Sequence, residues 1–445
     1  MTETTHDAIP WHLAGNYRPV QDELTRFDLC VTGAIPPELH GLYLRNGPNP
    51  RSGTSPHWFM GHGMVHGVRI EGGRAVWYRN RYVRTPKLER EPDTLDPGTV
   101  SDRTASIANT HVVSHAGRIF ALDEWHFPYE ISGELETLGC ETYGGRLTTA
   151  FTAHPLLCPE TNELHFFGGG FTEPYLVYHV LDAQGELVHS AEITVPGPTM
   201  MHSFMITRDH AIFMDLPVTY RPERAKRGES PLAWDESYGA RLGVLPRFGK
   251  DADVRWFDID PCYVFHPMNA YVDGAKVVCD VCRHPTMWRA STNDFAPAYL
   301  WRWELDLARG KVSERQLDDV ELGFPRIDDR AVGLRYRYGW ALCRRPGSND
   351  GSSLLVKYDL ERGTSTHHDF GPQAQPGELV FVEASSGAGE DEGYALGFVY
   401  DKGSDSSDLV LLDASNVAAA PLARVHMPRR VPHGFHGSWI RGQAP

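Results

Sequence analysis

The sequence has no uninterrupted apolar run near the roughly 20 residues that a spanning helix needs, which excludes a helical integral membrane protein. Its start, MTETTHDAIPWHL, carries neither the basic nor the apolar segment of a secretory leader, so a cytoplasmic protein is expected. A peripheral apolar patch resting on a membrane stays open, because a linear sequence does not show surface clustering. Cysteine is scarce: Cys30, Cys140, Cys158, Cys262, Cys279, Cys282 and Cys343 are spread over 445 residues, an odd number that suits reduced thiols better than a disulfide framework. Cys279 and Cys282 form a lone CxxC inside the strand-like KVVCDVCRH. Without a second such pair they read as small core residues rather than a zinc site. Positive charge is in deficit, 43 Lys and Arg against 58 Asp and Glu, for a net charge of −15. Such a surface repels phosphate backbones and excludes nucleic acid as a partner. No Ser-His-Asp or nucleophile-elbow pattern is present. Convincing helical periodicity is missing too, as is any polar stretch long enough to be a linker, so residues 1–445 read as one domain.

What the chain does have is short β-type runs almost throughout. GRIFALDEW, NELHFFGGG, PYLVYHVLD, AKVVCDVCR, YLWRWELDL and DLVLLDAS alternate or cluster β-branched and aromatic residues between Gly, Asp, Asn and Pro. One theme recurs: VLDAQGELV, ELDLARGKV, YDLERGTST and LLDASNVAA each end a strand in Asp and turn back, which predicts outer hairpins. Sets of four strands every roughly 60 residues would give about seven sets, a propeller-like period. A large β-sandwich or two stacked barrels fits that periodicity equally well.

Histidine is abundant, at 22 residues. Four occupy junctions between a Pro, Gly or Ser turn and an apolar strand: His154 in TAHPLL, His202 in MMHSFMIT, His266 in VFHPMNAY and His436 in GFHGSW. A residue before proline is driven into extended geometry, which suits His154 and His266 as strand starters. Four imidazoles suit Fe, Cu, Ni or Zn. Their separations of 48, 64 and 170 residues make no local metal motif, however, so on spacing alone each is as readily a core or surface histidine. The C-terminal RVPHGFHGSW adds a question, since it offers both His433 and His436.

These four settings resemble, in order and context, those of the carotenoid cleavage oxygenases, which include apocarotenoid, retinoid-pathway and stilbene-cleaving members. The resemblance runs from GLYLRNGPNP through HWFMGHGMVHGVRI, IANTHVVSHAGRIFAL, FTAHP, MHSF, FHPMNAY, FPRID and EDEG to VPHGFHGSW. It implies an all-β, seven-bladed propeller with a loop dome over the metal-bearing axial face. It also implies a non-haem Fe(II) held by His154, His202, His266 and His436. His436 matches the family's ligand, whereas His433 falls at a variable position and is expected to line or pack.

Four neutral imidazoles leave the 2+ charge uncompensated, and ligand histidines need their other N–H held, commonly by carboxylates. The resemblance implies Glu124, in FALDEWHFPYEI, and Glu390, in GAGEDEGYAL, for that task. A third family glutamate would precede FPRI, where this chain has Gly323; Glu321 lies two residues earlier. His62, in MGHGMVHG, replaces a usual acidic residue and reads as structural.

By the same resemblance the reaction is O2-dependent cleavage of a conjugated alkene into two carbonyl products, with no catalytic residue beyond the metal ligands. The substrate is expected to be apolar, a carotenoid or apocarotenoid, since 11 Trp, 18 Tyr and 19 Phe can line a tunnel. Phe59, Trp125 and Phe127 are candidates for its wall. Stilbene-cleaving relatives carry lysine just before the first glutamate; Asp123 here argues against that substrate unless the aspartate has itself taken over phenol recognition. An O2-independent isomerase and a non-enzymatic propeller are the further alternatives.

Overall fold

Apolar residues in this chain fill both faces of many strands, and the strand Lys276–His284 shows why. Its side chains alternate across the sheet. Val277, Cys279 and Val281 enter one hydrophobic cluster, whereas Val278 and Cys282 enter another on the opposite face. The CxxC spacing therefore points its two thiols apart, as a core pair and not a chelate. A sheet with both faces covered must be sandwiched between two others.

The computed structural model describes residues 9–90, 102–346 and 353–442. Seven sheets of four or more strands succeed one another along the described chain. The first combines Gly41–Arg45, Met64–Glu71 and Arg74–Tyr82 with Leu24–Phe27 on one edge and Gly437–Arg441 on the other. The next five begin with His111–His115, Leu156–Leu157, Met205–Ile206, Tyr263–Asp273 and Leu322–Arg326. In the seventh, Val380–Glu383 and Ala374–Pro376 both pair with Gly393–Asp401, and Val31–Gly33 forms the far edge.

Each successive pair of sheets shares one hydrophobic cluster, and the seventh and first share theirs through Leu396, Leu409 and Val425 against Tyr43, Val68 and Tyr78. That last contact closes a ring. It selects a seven-bladed propeller over a sandwich or stacked barrels. Each fully buried side chain of Val, Leu or Phe size contributes about 1.5–3 kcal/mol to these seams. The expected outer hairpins are present as well. Asp182, for example, ends Leu176–Leu181 and accepts from the Gln184 and Glu186 amides at 3.0 and 2.9 Å.

The strands that open the blades pack side by side around the axis: Met205–Ile206, Tyr263–Asp273 and Leu322–Arg326 on one arc, Val380–Glu383, Gly437–Arg441 and His111–His115 on another. Side chains at their starts converge although they are far apart in sequence. No helix among the described residues is long and apolar enough to cross a membrane, and all seven cysteines are free thiols.

Candidate metal centre

His154 and His202 stand just before the axial strands Leu156–Leu157 and Met205–Ile206, and His436 just before Gly437–Arg441. His266 lies within Tyr263–Asp273, where the pairing register shifts between Val264 and Pro267. Such a bulge re-aims a side chain out of the regular alternation. The four histidines offer ligand atoms that all lie within 4.8 Å of one another. His154 Nε2 is 2.9 Å from His202 Nε2, which is 3.2 Å from His266 Nε2.

Two of these rings have fixed tautomers. His202 Nδ1 donates to Glu124, and His436 Nδ1 donates to Glu378 Oε1 at 3.0 Å. A neutral ring with its proton on Nδ1 has a lone pair on Nε2. The inward nitrogens of both rings are therefore acceptors, mutually repulsive unless a cation lies between them. Burial first, then the neighbouring imidazoles, holds His154 and His266 well below the ordinary histidine range. Burial lowers His436 as well, against the opposing pull of Glu378. Donors about 2.1 Å from a common ion sit about 3.0 Å apart at right angles, close to the spacings seen here. The donor set, its tautomers and its two anionic partners fit a divalent metal.

Glu378 is the carboxylate that sequence reading missed. It sits just before Val380–Glu383, in the same strand-start position as the histidines, and that placement in PGELVF was the available signal. Burial pushes its pKa up, but His436, Arg326 and His111 outweigh this and hold it at about 2. Glu378 also accepts from the Gly437 amide at 2.7 Å. Glu390, assigned that task from sequence, does not perform it. It accepts from the Arg337 and Tyr338 amides at 2.7 and 2.6 Å and so ties down a loop away from the histidines. The acidic EDE run that made it conspicuous is a turn, not an axial strand start.

His111 is a second omission. It opens the second blade's axial strand, with its ring 5.3 Å from that of His436 and 5.8 Å from that of His154. Nδ1 lies 3.0 Å from the Ala153 carbonyl and Nε2 3.2 Å from Ser438 Oγ, so both nitrogens are engaged. Burial lowers its pKa to about 3, and it packs as a neutral wall beside the centre. His433 stays outside the group, on Gln375 Oε1 at 3.1 Å and against the ring of Tyr17. His62 is buried and accepts from the Arg51 amide at 3.5 Å, a structural role as expected.

A family model described as retinal pigment epithelial membrane protein matches residues 17–441. The chain belongs to the carotenoid cleavage oxygenase family. A carotenoid cleavage oxygenase of Mycobacterium tuberculosis is 39% identical over 488 residues, covering 96% of this chain and 97% of the relative. An isoeugenol monooxygenase of Pseudomonas putida is 33% identical, over 98% of this chain and 99% of its own. Among solved structures, the lignostilbene dioxygenase of Pseudomonas brassicacearum has a TM-score of 0.89 at 31% identity, covering 98% of this chain and all of its own. Cobalt-substituted Synechocystis ACO follows with a TM-score of 0.86 at 27% identity, covering 96% and 98%. Membership makes this chain an oxygenase-type enzyme built on a four-histidine centre.

Gly323 sits beside Phe324, whose ring stacks on His266 at 5.3 Å with 28° between the planes. Phe324 holds a positive φ of 51°, an uncommon conformation for a bulky residue. Glu321 does not replace the family glutamate, because it pairs outward with Arg344 at 3.2 Å. Asp123 is buried and saturated. Its oxygens accept from Ser106 Oγ, the Ile107, Trp125 and His126 amides and His126 Nδ1, at 2.8–3.1 Å. Burial alone would raise its pKa, yet the His126 imidazole and those donors hold it at about 2. It secures the loop carrying Glu124 and presents no oxygen to a phenol, which corrects the sequence-based idea of a phenol contact. Phe59 and Trp125 pack against the cluster of Tyr263, Phe265 and Trp288. Phe265 in turn meets His202 at 5.1 Å. Phe127 packs into a different cluster with Phe151 and Leu147.

Proposed function

We propose that this protein is an Fe(II)-dependent dioxygenase of cytoplasmic location that cleaves a C=C bond of an apolar conjugated substrate, a carotenoid or apocarotenoid. The observation that carries the reading is the convergence of His154, His202, His266 and His436, with His202 and His436 locked by carboxylates. When bound, a ferrous ion with open positions supplies the O2 and redox chemistry. The chain's own residues do the rest. Glu124 and Glu378 keep two rings oriented with Nε2 turned inward, and their charges offset that of the ion. Phe265, Trp288 and Phe59 form an apolar aromatic wall beside His202 that excludes water and takes a flat, conjugated hydrocarbon. An alkene plus O2 gives two carbonyls with no net proton gained or lost, so no side-chain acid or base is required.

A stilbenoid or phenylpropanoid substrate is the second reading, favoured by the likeness to the lignostilbene dioxygenase. The buried, saturated Asp123 weighs against it, since it is no cation for a phenolate. The test is anaerobic purification with iron quantitation, followed by incubation with apocarotenals and hydroxystilbenes, products being identified by mass. Stoichiometric iron, O2 uptake and paired carbonyl products from an apocarotenal are expected. Cleavage of hydroxystilbenes alone selects the second reading. Turnover without O2 uptake points to an isomerase, and failure to hold iron to a non-enzymatic propeller.

A further inference from the structure

A fifth histidine ring stands against the metal centre without joining its donor group. His111 opens the second blade's axial strand, His111–His115, and is buried. Its ring forms a triangle with those of His154 and His436, at 5.8 and 5.3 Å, and those two rings are 4.5 Å apart. The two donors come from distant parts of the chain. His154 precedes Leu156–Leu157 in the third blade, whereas His436 precedes Gly437–Arg441, the last described strand, which completes the first. The second blade stands between them in the ring.

The hydrogen bonds of His111 run one to each side. Nδ1 is 3.0 Å from the carbonyl of Ala153, the residue before His154, and Nε2 is 3.2 Å from Oγ of Ser438, two residues after His436. A carbonyl only accepts, so Nδ1 carries the proton and donates. Burial keeps the ring neutral, which leaves Nε2 to accept from the Ser438 hydroxyl. Neither nitrogen remains for an ion. The backbone of His111 is itself fixed to the His436 side. The His436 amide donates to the Thr110 carbonyl at 3.2 Å, and buried Asn46 links the two further, its side chain donating to the His111 carbonyl at 3.2 Å and its amide to the His436 carbonyl at 3.0 Å. From that frame the Nδ1–H reaches across to the segment that carries His154. Ala153 is fully buried, and no other donor among the described residues meets its carbonyl.

We propose that His111 is a positioning residue for the metal centre, a staple that sets His154 against His436 by tying the segment before one ring to the strand after the other. It does for His154, through the backbone, what Glu124 and Glu378 do directly for their own rings. The inference rests on the four-histidine reading of the site. Its test uses the full-length protein loaded with Co(II), whose d–d absorption reports the arrangement of the donors. His111→Asn puts an amide nitrogen where Nδ1 stands and keeps the bond to Ala153. His111→Gln carries the same group one methylene further, toward Ser438, and loses that bond. The Gln variant is expected to release Co(II) to a chelator about tenfold faster than the native protein, with altered d–d bands, and the Asn variant to stay within about twofold with native bands. His111→Phe, which keeps the ring packing but neither hydrogen bond, should behave like His111→Gln, and Ser438→Ala, which removes one arm, should quicken release less. If His111→Phe does not fold, the Asn and Gln variants decide the matter. Equal release from those two, or native release and bands in His111→Phe even with a lowered Tm, overturns the proposal. Normal Co(II) uptake with release indifferent to residue 111 overturns this inference alone, whereas a native protein that takes up no Co(II) overturns the reading of the site as well.

Discussion

The four imidazoles at the axis fall into two unlike pairs. His202 and His436 each donate Nδ1–H to a carboxylate, Glu124 and Glu378. His154 and His266 have no such partner among the described residues; His154 packs beside His111 at 5.8 Å, and His266 stacks on Phe324 at 5.3 Å. One pair is oriented by charge-assisted hydrogen bonds, the other by ring packing and by the strand starts that carry it. The difference teaches that a metal-ready arrangement can be held half by electrostatics and half by sterics. It also indicates where each half is vulnerable.

Removing a ring altogether gives the largest effect and tests whether the two pairs form one centre. His202→Ala and His266→Ala, one from each pair, are both expected to lose bound metal and product formation, as measured by metal analysis of the purified protein. His433→Ala, three residues from His436, should retain the metal. If His433→Ala lost it while His436→Ala kept it, the division drawn here would be wrong. Next come the carboxylates. Glu124→Gln and Glu378→Gln should each weaken metal binding about 10- to 100-fold in chelator competition. Glu390→Gln, at a residue whose Oε1 serves two backbone amides, should leave metal affinity unchanged. Equal losses in all three variants would dissolve the distinction between axial and peripheral carboxylates.

That contrast also shows what the sequence could reveal. The blades were legible in outline from recurring Asp-ended hairpins, but the choice between propeller and sandwich needed the Tyr43–Leu396 seam, a contact between chain ends that no local pattern encodes. The four histidines were legible only through their resemblance to a family, because 48 to 170 residues separate neighbours that meet within 4.8 Å. Glu124 was found by the same route. Glu378 was not, since it lies 58 residues from its partner His436 and carries no motif of its own. Glu390 drew attention because acidic runs are visible in a sequence, whereas burial beside a ring is not.

Asp123 separates the support of one carboxylate from the carboxylate itself. Its pKa of about 2 against an ordinary 3.8 means that the folded state favours the ionised form. The resulting stabilisation, about 2 kcal/mol, is fully present above pH 3.8 and is lost as pH falls through about 2. Asp123→Asn should therefore lower stability by about that amount at pH 7 in denaturant titration. Its deficit relative to the native chain should shrink as the acid limit is approached. Because Trp125 and His126 hang on the same side chain, metal release from the Glu124–His202 side should quicken modestly. A deficit constant down to pH 2 would mean that Asp123 acts by packing rather than charge.

The smallest expected effect is the most discriminating, because it asks whether the uncharged half lacks anything. Gly323 precedes the Phe324 ring that covers His266, and a Cβ placed on it meets no heavy atom within 4 Å. Gly323→Glu therefore has room to extend toward the His266 side. A hydrogen bond from an imidazole to a new carboxylate is worth about 1.5–3 kcal/mol before the side chain's ordering cost of about 1.5 kcal/mol is subtracted. The net expectation is metal release slowed by a factor of about two to five, read by chelator competition. Slower release would make the His154–His266 half an electrostatic vacancy that packing only partly fills. Faster release would mean that the positive-φ Phe324 and its stack on His266 are the preferred support, and that a charge there disturbs them. The same substitution combined with Glu378→Gln sharpens the answer. If one carboxylate can stand in for another, the double variant recovers more affinity than the sum of the two single effects; if each serves only its own ring, the two effects simply add.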